Sequence, residues 1–123
     1  MRILGARIHG VIDLVIAVVF LLAPVFVGLG GRPAAISYTL GIVHLVLTLL
    51  TRFPMGIRKV IPFVVHGIIE LIVGVALLLL PSFDGYAPGS PAQRFYLFMG
   101  GSILVIWALT AYGERDAAAV ATR

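Results

Sequence analysis

Five ionisable residues sit where the surrounding sequence is apolar: His9, Asp13, His44, His66 and Glu70. His9 and Asp13 are four residues apart, and so are His66 and Glu70. On a helix that spacing puts each imidazole and its acid on one face within contact range. Three kinds of chemistry suit such pairs. Each imidazole can hydrogen-bond its carboxylate and serve as a structural brace for a buried acid. A partly buried pair can also titrate near neutrality and pass protons or small ions. Finally, three imidazoles and two carboxylates suit Zn or Fe, and paired helical histidines can hold haem. The metal candidates are the same five residues. The Glu-x-x-His pattern of di-iron bundles is missing, as is the His-Glu-x-x-His zincin motif. The brace within a structural or interaction module is the leading reading, transport and metal or haem binding are its alternatives, and the cofactor is left open.

The elements that carry these residues are long apolar runs. They cover residues 8–27, 34–51, 60–80 and 95–112, separated by Gly- and Pro-rich breakers. Of the 123 residues 61% are hydrophobic and 11% charged, and the mean hydropathy is +1.14. A soluble domain carries about 25% charged residues, so the excess apolar surface needs lipid as its solvent. A spanning helix takes about 20 residues, and four of them use nearly the whole chain. The expected fold is all-α, an integral membrane four-helix bundle with the lipid bilayer as its partner. With no cysteine, disulfides and thiolate metal sites are excluded. The net charge of +4 comes from scattered basic residues without a basic stripe, which argues against nucleic acid. The first run is not a cleaved signal, since Asp13 interrupts it and Leu22-Ala23-Pro24-Val25 is a poor cleavage site.

The chain repeats itself. His9-Gly10-Val11-Ile12-Asp13-Leu14 matches His66-Gly67-Ile68-Ile69-Glu70-Leu71 in residue type at an offset of 57. The same offset pairs Pro24 with Pro81, Phe26 with Phe83 and Ala17 with Gly74. Aligning Leu45-Val46-Leu47 with Leu104-Val105-Ile106 also pairs Thr51 with Thr110. Residues 1–57 and 58–123 thus read as two two-helix repeats. Two spans per copy make the copies parallel, related by a pseudo-twofold axis along the membrane normal. The segments Leu22–Leu29 and Leu80–Tyr86 resemble the end of the first helix in SPW-repeat membrane proteins, small bacterial proteins with two spans per repeat. Ser and Trp of that signature are replaced by Ala23 and Val25 in one copy and by Leu80 and Ser82 in the other. The openings His-Gly-x-x-Asp and Pro-x-x-x-His-Gly-x-x-Glu, the latter running from Pro62 to Glu70, are similar to those of other bacterial membrane proteins. The resemblance implies a four-helix, two-repeat fold and brings no activity with it.

Lys and Arg set the orientation. Arg2, Arg7, Arg52, Arg58, Lys59, Arg115 and Arg123 fall on the side of the termini, and only Arg32 and Arg94 on the other. The positive-inside rule places both termini in the cytoplasm, in a bacterial inner (plasma) membrane. At a rise of 1.5 Å per residue the acids lie about 6 Å deeper than their histidines, and His44 lies roughly 10 Å from the cytoplasmic end. All five groups therefore converge in the cytoplasmic leaflet. Gly10, Gly41, Gly67, Gly74, Gly100 and Gly101 are expected at close helix contacts, and Tyr38, Tyr96, Tyr112 and Trp107 include candidate interfacial anchors. Arg58-Lys59 reads as a topology determinant. The Ala-rich tail from Glu114 either extends the last helix or frays. No serine has a His–acid partner at readable spacing, which argues against an enzyme. A bundle this small is expected to self-associate.

Overall fold

A computed structural model describes residues 2–113 of the chain. Four α-helices account for most of it: α1 (Ala6–Phe26), α2 (Gly31–Leu50), α3 (Phe63–Phe83) and α4 (Pro91–Leu109). Among the described residues there is no strand, only two isolated bridges. The helices are 19 to 21 residues long. At 1.5 Å per residue that is about 30 Å, the thickness of a bilayer's hydrocarbon core. All four are long and apolar enough to cross a membrane. Their outward faces are apolar, with Val11, Val15 and Val18 on α1 and Ile68, Ile72 and Leu79 on α3 all exposed.

The helix ends differ from the sequence reading by one to four residues, and two of these differences have a clear local cause. Pro81 was expected to close the third span near residue 80, yet α3 runs on to Phe83 with Pro81 inside its last turn. A proline that close to the end removes only one late hydrogen bond, and the Asp84 N–H still reaches the Leu80 carbonyl at 2.8 Å. The helix α4 begins at Pro91, ahead of residue 95. Ser90 Oγ accepts from the Gln93 N–H at 3.2 Å, and Gln93 Oε1 accepts from the Gly89 N–H at 2.6 Å. Ser90-Pro91 looks like a breaker and is in fact a capped helix start with proline in the first turn. The turns that follow α1 and α3 use Gly28 and Gly85 at φ 78° and 66°, a backbone region costly for other residues.

Helix α1 packs along α2, and α3 packs along α4. Small residues allow the close approach. A Cβ on Gly41 would lie 2.7 Å from Leu21, and one on Gly74 would lie 2.7 Å from Leu104. Gly100 faces the Gly74 carbonyl, where a Cβ would sit at 2.9 Å. Gly101 departs from expectation, because a Cβ there would meet nothing within 4 Å. It lies on the outer face of α4, where no helix packs against it. Gly10 and Gly67 are close contacts of another kind: each faces an aromatic ring, Phe53 and Tyr112 respectively, from the segment after α2 or α4.

The two hairpins meet across side chains, in two apolar clusters. One contains Ile16, Phe20, Leu77, Phe95, Tyr96, Met99 and Ile103. The other contains Ala6, Phe53, Phe63 and Tyr112. At the first end Arg32 pairs with Asp84 at 2.9 Å, joining the α1–α2 and α3–α4 connections. Tyr96, among the candidate anchors, is fully buried, and its hydroxyl donates to the Pro33 carbonyl at 2.6 Å. Burial, reinforced by the Asp84 carboxylate, pushes the neighbouring Tyr86 phenol up to about 12. Tyr38 is exposed and Trp107 half-buried against the second cluster. The tail expected to extend or fray falls in residues 114–123, outside the described residues.

The other end is tied by two matched sets of backbone bonds. The Ile3 and Leu4 N–H groups donate to the Leu109 carbonyl, and the Ala111 N–H donates to Leu4. The Val60 and Ile61 N–H groups donate to the Leu50 carbonyl, and the Arg52 N–H donates to Ile61. Each entering segment thus clips onto the exit of the other hairpin. These clips carry Thr51 and Thr110 to fixed positions beside α3 and α1.

Candidate metal centre between the hairpins

Between the two apolar clusters lie all five ionisable residues singled out in the sequence. His9, Asp13 and His66 are fully buried, Glu70 is 2% exposed and His44 is 8% exposed. His9 and Asp13 come from α1, His66 and Glu70 from α3, and His44 from α2. Within each helix, His9 Nε2 is 3.3 Å from Asp13 Oδ2, and His66 Nε2 is 3.6 Å from Glu70 Oε1. Across the helices the approach is at least as close. His66 Nε2 is 3.1 Å from Asp13 Oδ2, and His9 Nε2 is 3.3 Å from Glu70 Oε2. His44 Nε2 stands further off, 3.7 Å from Asp13 Oδ1.

None of these approaches has hydrogen-bond geometry. The Nε2 atoms of His9, His44 and His66, both Asp13 oxygens and Glu70 Oε1 are buried without a hydrogen-bond partner among the described residues. The outward nitrogens, by contrast, are well held. His9 Nδ1 is 2.8 Å from Thr110 Oγ1, and His66 Nδ1 is 2.8 Å from Thr51 Oγ1. Each threonine donates its single hydroxyl proton to a helical carbonyl at 2.6 Å, Thr51 to Leu47 and Thr110 to Ile106. Each Oγ1 is left to accept, so Nδ1 must carry the proton in both histidines. In its neutral form each imidazole therefore points its Nε2 lone pair inward, at two carboxylates that can only accept.

A buried centre of converging acceptors is unstable without a positive charge in it. Two protons on the Nε2 atoms would provide one, and so would a cation. The geometry fits a cation well. One ligand atom each from His9, Asp13, His66 and Glu70 can be chosen so that all lie within 4.8 Å of one another. With metal–ligand bonds of about 2.1 Å, neighbouring ligand atoms lie about 3.0–3.4 Å apart and opposed ones about 4.2 Å. Taking Asp13 Oδ2 and Glu70 Oε2 with the two Nε2 atoms, the separations of 3.1 to 3.3 Å are close to those edges. Two carboxylates and neutral imidazoles leave a charge of −2, which a divalent ion cancels.

The two acids have different further partners. Tyr112, among the candidate interfacial anchors, is buried and donates its hydroxyl to Glu70 Oε2 at 2.5 Å. Asp13 has only His44 nearby on its other side, at 3.7 Å and without a hydrogen bond. Sequence reasoning missed Tyr112, Thr51 and Thr110 as site residues; only the alignment of Thr51 with Thr110 hinted at two of them. The cluster also has an opening at one side. A cavity of about 30 Å³ lies between α2 and α3, with His44 and Glu70 as its only polar residues. That space suits a water-sized guest. It is too small for a macrocycle such as haem. Comparison with family models, curated proteins and solved structures returns no match.

Proposed function

We propose that this chain is a multi-pass membrane protein that holds one divalent transition-metal ion between two parallel two-helix repeats. His9, His66, Asp13 and Glu70 are the ligands, and His44 is an outer imidazole. The observation that carries the reading is the pair of Thr–His contacts, which aim the Nε2 atoms of two imidazoles at Asp13, whose oxygens both lack a hydrogen-bond partner, and at Glu70, whose Oε1 lacks one. Outer-shell partners of this kind orient metal-ligating histidines. An all-N/O donor set favours Zn, Fe, Mn or Co, and two imidazoles with a carboxylate are the set used by non-haem iron. The repeat reading is supported by the clips and the Thr–His contacts, which recur at the offsets of 57 and 59 already present in the sequence. Both termini are assigned to the cytoplasm from the Lys and Arg distribution. The layout similar to SPW-repeat proteins belongs to the same proposal.

Passage of ions along the bundle axis is the weaker reading, because apolar clusters stand on both sides of the centre. The brace reading has an observation of its own. His66–Asp13 and His9–Glu70 link α1 to α3, so two shared protons would also hold the hairpins together. Elemental analysis separates the two. Protein purified in detergent from metal-supplemented cells, or reconstituted with Zn, Fe, Mn or Co, is expected to hold about one ion per chain. Asp13→Asn and His66→Ala are expected to lose it. Wild-type protein that takes up none of the four metals in stoichiometric amount would leave the brace as the better account.

A further inference from the structure

The cavity beside the centre is placed and lined in a way that a purely structural metal site does not need. It lies at the seam of α2 and α3, which belong to different hairpins and do not pack closely. Its wall is hydrocarbon from Leu40, Val43, Val73 and Ile103, apart from His44 and Glu70. Val43 is 56% exposed on the outer apolar face of α2, so the cavity has its mouth on the side of the bundle. At its inner end Glu70 is 98% buried, and its Oε1 has no hydrogen-bond partner. The repeat counterpart of His44, 59 residues on, is Ile103, a buried core residue. The polar lining therefore breaks the symmetry of the two repeats.

Resting on the metal reading above, we propose that the ion keeps one coordination position open toward this cavity. The ligand it takes there is a small uncharged molecule of diatomic size, arriving from the apolar phase between α2 and α3. Structural sites close their coordination sphere with protein ligands, whereas reactive ones keep a position free. Four arguments converge on such a ligand. The volume of about 30 Å³ admits a diatomic molecule or a water and little more. A charged guest would lose its hydration against a wall that is hydrocarbon everywhere except at His44 and Glu70. The apolar clusters block approach along the axis. The least tightly held imidazole, His44, is the one beside the passage.

Nitric oxide is the probe, since it coordinates ferrous iron and yields a half-integer-spin EPR signal. Wild-type protein in detergent is loaded anaerobically with Fe(II), its iron content is measured, and nitric oxide is added. The expected result is a nitrosyl signal matching the iron content. Azide, a charged triatomic whose Fe(II) complex is EPR-silent, is added ahead of nitric oxide and should not reduce the nitrosyl signal. Val73→Phe fills the cavity and Val43→Trp covers its mouth from the exposed side; each should keep the iron and lose the nitrosyl signal. Iron bound in full with no nitrosyl signal overturns the open position while leaving the metal site standing. Undiminished signals in both variants, or a nitrosyl signal reduced by azide, overturn the lateral apolar route. Failure to bind iron or any other of the four metals overturns the metal reading and this inference with it.

Discussion

A hydroxyl has one proton, and in this protein Thr51 and Thr110 have each committed it to a carbonyl four residues back. The tautomers of His66 and His9 follow from that alone. Replacing either threonine by valine keeps its volume but removes the acceptor, so the imidazole is free to turn or to move its proton. Loss of an outer-shell partner typically costs 10–100-fold in metal affinity. Thr51→Val and Thr110→Val are each expected to weaken binding by roughly that 10–100-fold factor, with helical content by circular dichroism unchanged. Competition against a chromophoric chelator measures it. Equal affinity in wild type and both variants would mean that the threonines do not orient the ligands. The His/acid pairs themselves were legible in the sequence, because a four-residue spacing on a helix has one geometric meaning. The threonines and Tyr112 were not. They lie beyond the helix ends, in segments whose path is set by clips to the other hairpin, and no local periodicity encodes that path.

At the scale of the elements, four helices could be read from four apolar runs because hydrocarbon thickness fixes both length and composition. Their ends were harder to read. Pro81 and Ser90-Pro91 both look like breakers, and only the neighbouring hydrogen bonds decide that one is tolerated and the other begins a helix. The glycines show the same limit. Glycine in a spanning helix marks close approach only if a neighbour is there, and the sequence does not say which face has one. Gly74 and Gly101 therefore respond differently to substitution. Gly74→Val drives a branched side chain into Leu104, and overpacking of this kind costs about 1–3 kcal/mol. Gly101→Ala meets open space and gains up to about 1 kcal/mol of helix propensity. Thermal unfolding in detergent should show the first variant lowered and the second equal to wild type or raised. A lowered melting temperature for Gly101→Ala would indicate that the outer face of α4 packs against something, and a second copy of the chain is the natural candidate.

For the molecule as a whole, the clips and the cross-helix His–acid contacts put the starts of α1 and α3 and the ends of α2 and α4 at one end. Arg2, Arg7, Arg52, Arg58 and Lys59 are at that end, while Arg32 and Arg94 are at the other. The charge asymmetry that the sequence assigns to two sides of a membrane is thus also an asymmetry between the two ends of the bundle. A chain inserted by the positive-inside rule has its basic end in the cytoplasm, with the buried His/Asp/Glu cluster nearer that face. The absence of cysteine makes this easy to measure, since a single introduced thiol is the only one to react. Lys59→Cys lies in the connection between α2 and α3, and Gly30→Cys in the one between α1 and α2. In intact spheroplasts a membrane-impermeant maleimide should label Gly30→Cys and spare Lys59→Cys until the membrane is opened. The reverse pattern would invert the protein and move the centre to the outer leaflet. Labelling of both positions in intact spheroplasts would contradict a four-span chain, because the two loops lie at opposite ends of α2 and only a crossing helix separates them.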